Sequence, residues 1–269
     1  MKETYNTTKQ QLLSIDIPVQ TNTYKPFSHK QVIDLTLEAI EKSGFKLDSE
    51  SYISNSGGQV ATGLYTIKNV ADTEMQLQIG WLNSYNKTKR LTWGLGGKVF
   101  ICQNGIIRAD MGAFKKKHQG DIQDYSPKTI TEYVKRAADV FKQLQEEREA
   151  MKQVEIDKTI VAHILGEMFM NEEFITTTQL NIIKREINSP TYDYGASNSL
   201  WELYNHTTLS LKEIHPSLYM ENHQAAHTFF VNKSGVLVPQ NTIPVPEPNQ
   251  LDLFEAQEIF NLPEDLLTK

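Results

Sequence analysis

From Glu74 to Trp81 polar and apolar residues alternate: Met75, Leu77, Ile79 and Trp81 are apolar, while Glu74, Gln76 and Gln78 are polar. A period of two is that of a strand with one face buried and the other in water. It predicts that Gln76 and Gln78 face solvent. A polar loop, Asn83 to Thr88, follows, and then a short run, Leu91-Thr92-Trp93. Gly94-Leu95-Gly96-Gly97 reads as a turn leading into a further strand, Lys98 to Cys102. Asn104-Gly105 between β-branched and aromatic residues predicts a hairpin, because a type I′ turn needs positive φ at both central positions. Ile106-Ile107-Arg108 returns from it, giving three or four antiparallel strands in this stretch.

The flanking patterns supply the rest of the architecture. Leu12 to Val19 reads as a short edge strand inside a polar arm, residues 1–25. Ser28 caps a helix whose apolar stripe is Val32, Ile33, Leu35, Leu37 and Ile40, ending at Gly44. Phe45 to Ile53 and Val60 to Val70 read as strands. After Ser126-Pro127, the positions Ile130, Val134, Ala137, Phe141 and Leu144 predict one long amphipathic helix, with Lys135, Arg136, Glu146, Glu147 and Arg148 on its wet side. Further helices are expected over Asp157–Met170, Thr177–Ile187, Asn198–His206 and Leu218–Phe230. Helix, strands, then helices is an α+β order rather than a parallel βαβ repeat, with an antiparallel sheet of about four to six strands. The expected organisation is an arm (1–25), a basic-hairpin α+β region (26–150), a helical region (151–231) and a Pro-rich tail (232–269).

Charge changes the picture of the central stretch. Ser84 to His118 holds eight Lys/Arg (Lys87, Lys89, Arg90, Lys98, Arg108, Lys115, Lys116 and Lys117) against the single acid Asp110, in a chain whose net charge is −6. Aromatic residues are interleaved with these bases, among them Tyr85 and Trp93. Cations that neutralise phosphates and rings that stack on bases are the ingredients of a single-stranded nucleic-acid surface. The alternative is a solvated basic edge over an aromatic core. Composition otherwise is that of a globular protein, 39% hydrophobic and 22% charged. The single cysteine, Cys102, excludes an internal disulfide framework and suits a cytoplasmic setting. No apolar run is long enough for a membrane span.

Catalytic and metal motifs are not found. The Gly94–Lys98 run leads into a strand and not a helix, so it lacks the helix N-terminus that a phosphate loop uses. His223 and His227 are four apart on one helical face, but no third ligand stands at motif spacing, and no metal or other cofactor is expected. The paired acids Glu146-Glu147 and Glu172-Glu173 read as solvated faces.

Val99 to Ile107, with its Cys-x-Asn-Gly hairpin, followed by Lys117-His118-Gln119-Gly120, resembles a family of uncharacterised phage- and plasmid-encoded proteins. Trp201 to Thr207 resembles that family's second, helical motif. The likeness spans roughly residues 30 to 230 and implies a mobile-element setting. The order of elements is also similar to phage single-strand annealing proteins, which hold single-stranded DNA in a basic groove on an oligomeric ring. That resemblance implies phosphate contacts from Lys87, Lys89, Arg90, Lys98, Arg108 and Lys115 to Lys117, stacking by Tyr85 and Trp93, and leaves a homo-oligomer open. A protein–protein module, such as an inhibitor of a host defence enzyme or a virion component, is the competing expectation.

Four prolines between Pro239 and Pro248 predict an extended linker. Beyond it, Gln250-Leu251-Asp252-Leu253-Phe254 resembles the pentapeptide by which bacterial proteins bind the sliding clamp. There Leu251, Leu253 and Phe254 fill apolar pockets and Gln250 supplies the orienting hydrogen bonds. The clamp is therefore an expected partner, and the alternative is a short amphipathic helix packed back on the body.

Overall fold

The computed structural model describes residues 5–68, 72–101, 105–107, 113–116 and 127–235. Residues up to Val236 form one compact unit. Arg108, Lys117, Cys102, the Lys-His pair and the whole of 237–269, with the pentapeptide, lie outside the described residues.

Among the described residues seven strands occupy six positions of one antiparallel sheet. They are β1 (Asn6–Thr7), β2 (Leu47–Ser54), β3 (Val60–Ile67), β4 (Met75–Ser84), β5 (Leu91–Val99), β6 (Gly105–Ile107) and β7 (Ala113–Lys116). β1 to β5 are sequential neighbours, and β6 and β7 lie end to end along the free edge of β5. The helices are α1 (Lys9–Leu13), α2 (His29–Lys42), α3 (Pro127–Lys135), α4 (Ala137–Lys152), α5 (Lys158–Met170), α6 (Thr177–Asn188), α7 (Leu200–Ser210) and α8 (Pro216–Ser234). The fold is α+β, as the element order implied.

α2 begins where its sequence says. Ser28 accepts the Gln31 backbone N–H while the Gln31 side chain accepts the Ser28 N–H, satisfying two of the donors a helix start leaves open. Its buried stripe is Val32, Ile33, Thr36, Ala39 and Ile40, and Gly44 ends it at φ 78°. Thr36, in helical phase with Val32, Ile33, Ala39 and Ile40, takes the buried face while the expected Leu35 and Leu37 are only half-buried, and its hydroxyl accepts from Trp93 Nε1 at 2.9 Å.

Several expectations are corrected. β4 is buried on both faces, Gln76 and Gln78 included. The Trp81 face packs under α2, whereas the Gln78 face is covered by α8, a helix that starts more than 130 residues later. Gly94 to Gly97 make no turn; β5 runs straight through them, opposite Gly80, Ile79, Gln78 and Leu77 of β4. A Cβ at Gly97 would fall 2.7 Å from Met75 Sδ, so the residue is a close-packing glycine. Gly105 is likewise a strand residue paired with Lys98, and the β5–β6 connection precedes it. Its missing side chain admits the Tyr219 hydroxyl, 2.7 Å from where a Cβ would stand.

The arm holds β1 and α1 rather than a strand over Leu12–Val19; Leu12 is buried, while Val19 is 87% exposed. The long helix is two, α3 and α4, joined at Arg136, whose N–H bonds to Tyr133 O three residues back. Their apolar stripe is buried as predicted, but Glu147 and Arg148 are buried too. Each finds a partner: Arg148 meets Asp72 and Glu147 meets His227.

Candidate nucleic-acid interface

The β4–β5 loop, Tyr85 to Arg90, carries three of the predicted phosphate contacts on a self-braced turn. Asn86 Oδ1 accepts from the Thr88 N–H and hydroxyl, at 3.2 and 2.6 Å. Ser84 Oγ accepts the Lys89 N–H at 3.1 Å and donates to Lys89 O at 2.9 Å. This geometry sets Lys87 at φ 65°, a left-handed conformation rare for a side chain other than Asn or Gly. The exposed Lys87 ammonium stands 4.5 Å from the Tyr24 ring centroid, a cation–π contact. Arg90 is exposed. Lys89 reaches across to α8 and pairs with Glu221 at 2.7 Å, so part of its charge is already spent inside the fold.

The register decides which other bases join them. β7 runs antiparallel to β5 with Lys116 opposite Leu91 and Lys115 opposite Thr92. These two backbone positions therefore adjoin the end of β5 where Arg90 leaves the loop. Lys98 sits at the far end of the same strand, opposite Gly105. Eight residues of strand separate it from Arg90, roughly 26 Å at about 3.3 Å per residue. The structure thus gathers Lys87, Lys89, Arg90, Lys115 and Lys116 at one end of the sheet edge and leaves Lys98 apart.

Neither predicted stacking ring is at that surface. Tyr85 is 3% and Trp93 2% exposed. Trp93 faces Trp81 across the β4–β5 pair, under α2. Tyr85 stacks on His29 with ring centroids 4.1 Å apart, and its hydroxyl accepts the His29 N–H at 2.8 Å. Both are core residues, because the strand places them on the face that α2 covers, and stacking on bases is closed to them in this fold.

His29 anchors that core. Asn83 Nδ2 donates to Phe27 O at 2.8 Å and to His29 Nδ1 at 3.1 Å, which leaves His29 Nε2–H to donate to Gly58 O at 2.9 Å. Burial lowers the His29 pKa to about 4, against the opposing pull of the Gly58 carbonyl.

Beside the basic loop lies a cleft of about 310 Å³, lined by Leu82, Thr88, Lys89, Arg90 and Thr92 from the sheet and by Met220, Glu221 and Gln224 from α8. Sequence reasoning missed its α8 wall. The available signal was the spacing of Met220 and Gln224, four apart on one helical face, but nothing local says which surface that face meets.

Deeper on α8, His223 and His227 are both buried. His223 lies beside the Gly105 backbone, and burial lowers its pKa to about 3. His227 stands between Tyr204 Oη, 3.1 Å from Nδ1, and Glu147, 3.0 Å from Nε2. These contacts tie α8 to α7 and α4. Among the described residues no group of three His, Cys, Asp or Glu is placed to hold a metal ion. Among the same residues no helix is long and apolar enough to cross a membrane.

The model of a family defined by a domain of unknown function, DUF932, matches residues 17–228 of this chain. An antiparallel α+β sheet braced by α2 and α8 is therefore the body of a DUF932 domain, and the chain belongs to that family. Comparison with the curated proteins and with the solved structures finds no match.

Proposed function

We propose that this protein is a nucleic-acid-binding accessory protein of mobile-element DNA replication or recombination. It grips the phosphate backbone of single-stranded DNA with the basic end of its sheet edge. The observation that carries the reading is the convergence of Lys87 and Arg90 with the β7 positions Lys115 and Lys116 at one end of β5. Cations gathered at one place from separate segments neutralise phosphates without needing rings, and such binding is governed by counterion release. With Tyr85 and Trp93 in the core, the grip is electrostatic rather than stacking. Single-strand annealing remains the activity we assign within this class, on the order of elements alone.

The tail adds a tether. Gln250 to Phe254 follows the sliding-clamp pattern at all five positions, after a linker rich in proline. Ten such residues extended at ~3.1 Å each reach about 30 Å.

A filter-binding titration with single-stranded oligonucleotide at two salt concentrations tests the body. Wild type should lose affinity steeply with salt, and Lys87→Glu/Arg90→Glu should weaken binding and lower the salt slope by about one per lost contact. No binding at low salt sinks the reading and favours the protein–protein alternative, in which the same cations face an acidic partner. For the tether, Leu253→Ala/Phe254→Ala should abolish binding to the sliding clamp. Equal binding by both forms rejects the motif.

A further inference from the structure

The cleft beside the basic loop has the composition of a ligand site rather than of a packing defect. Its mouth carries the Arg90 guanidinium, its walls include the apolar side chains of Leu82 and Met220, and its polar groups converge from two elements. One buried polar atom there lacks a partner. Gln224, 6% exposed, lines the cleft with an Nε2 that donates to nothing. Leaving such a group unpaired inside a fold costs free energy, which a ligand acceptor in the cleft would recover. Glu221, three residues before Gln224, presents a carboxylate acceptor on the same face of α8, with one oxygen held by Lys89 at 2.7 Å.

From this we infer that the cleft binds one nucleoside phosphate unit. The phosphate meets the guanidinium of Arg90. The base lies against Leu82 and Met220, taking a donated hydrogen bond from Gln224 and giving one to Glu221. A volume of about 310 Å³ is at the small end of ligand sites, suited to one base and sugar and not to a dinucleotide. The inference deepens the nucleic-acid reading and rests on it for one of two sources of the ligand: a single nucleotide of a bound strand turned into the cleft, or a free nucleotide. An amide–carboxylate pair reading a base edge supplies the discrimination that backbone contacts lack.

The test uses the full chain and two variants. Gln224→Leu removes the donor at nearly constant volume, and Thr88→Trp fills the mouth from an exposed loop position that leaves the core untouched. Binding of the four deoxynucleoside 5′-monophosphates is measured by calorimetry, with inorganic phosphate as the probe lacking a base. An oligonucleotide carrying 2-aminopurine reports a base leaving its stack. At least one monophosphate should bind more tightly than phosphate, with affinity falling up to about tenfold in Gln224→Leu and lost in Thr88→Trp. If the ligand comes from a strand, 2-aminopurine fluorescence rises on binding and Thr88→Trp cancels the rise. If it is free, monophosphates bind and the oligonucleotide does not, which keeps the cleft site and rejects the strand reading. Salt-sensitive oligonucleotide binding with no monophosphate binding, and no effect of either variant, overturns the cleft site and leaves the phosphate grip standing. Absence of binding by every probe overturns both.

Discussion

Arg148 Nη1 lies 2.9 and 3.0 Å from the two carboxylate oxygens of Asp72, joining α4 to the residues that lead into β4, with both side chains nearly enclosed. Asp72 also accepts from the Glu74 and Met75 N–H groups and from Gln145 Nε2. Burial pushes its pKa up, but the bonds from Gln145, the backbone and Arg148 outweigh that and hold it below the ordinary value. Arg148→Met should cost about 3 kcal/mol, because it strands a buried carboxylate. A group with a depressed pKa adds stability above its unfolded value that is lost as pH falls through its folded one. The variant should therefore also have a flatter acid limb. Urea midpoints across pH check both, and an unshifted midpoint at pH 7 rejects the pair's role.

His29 sets the pH response above that limb. Its folded value is about 4, and an unfolded histidine titrates near 6.5. Between those values the unfolded chain binds a proton that the native core refuses, so stability falls as pH drops through the window. The cost is about 1.4 kcal/mol per pH unit for such a group, and the full contribution is present above pH 6.5. His223, at about 3, adds to the same slope. An NMR titration that finds the native His29 ring changing protonation near 6.5 would contradict its burial.

Gly63 lies opposite Trp81, and a Cβ there would come 2.5 Å from the indole. The ring is held by its Nε1–H bond to Tyr65 Oη at 3.1 Å and has little room to turn aside. Gly63→Ala should destabilise by about 2 kcal/mol through overpacking. Gly166, in α5 with open space around it, is the matched control: Gly166→Ala should gain about 0.8 kcal/mol from helix propensity. Thermal melts of the two variants should move in opposite directions, and a shift of the same sign in both would reject the account.

All three tryptophans, Trp81, Trp93 and Trp201, are 2% exposed or less. Acrylamide should quench the native emission weakly, and a saturating single-stranded oligonucleotide should leave it nearly unchanged. Strong quenching by the oligonucleotide would restore the stacking role to Trp93 and refute an electrostatic grip.

The sequence by itself determined the local structure. Ser28 set the start of α2, the stripe from Ile130 to Leu144 marked the buried side of α3 and α4, and the strand alternation placed Met75, Leu77, Ile79 and Trp81 on one face. These are periodicities and caps, which depend on neighbours a few residues away. It also placed eight bases in one segment, and the Gln250–Phe254 pentapeptide remains a statement of sequence alone.

Only the tertiary structure decided what covers each face. Alternation tells which residues share a side of β4, but not whether α8 will lie over Gln78. Glu147 and Arg148 carry charge, and charge predicts solvent until His227 and Asp72 arrive from distant segments to pair with them. The same holds for the bases. Strand register put Lys115 and Lys116 beside Arg90 and set Lys98 roughly 26 Å away at about 3.3 Å per residue. Burial and convergence are properties of contacts between segments far apart in the chain, and no local pattern encodes the partner.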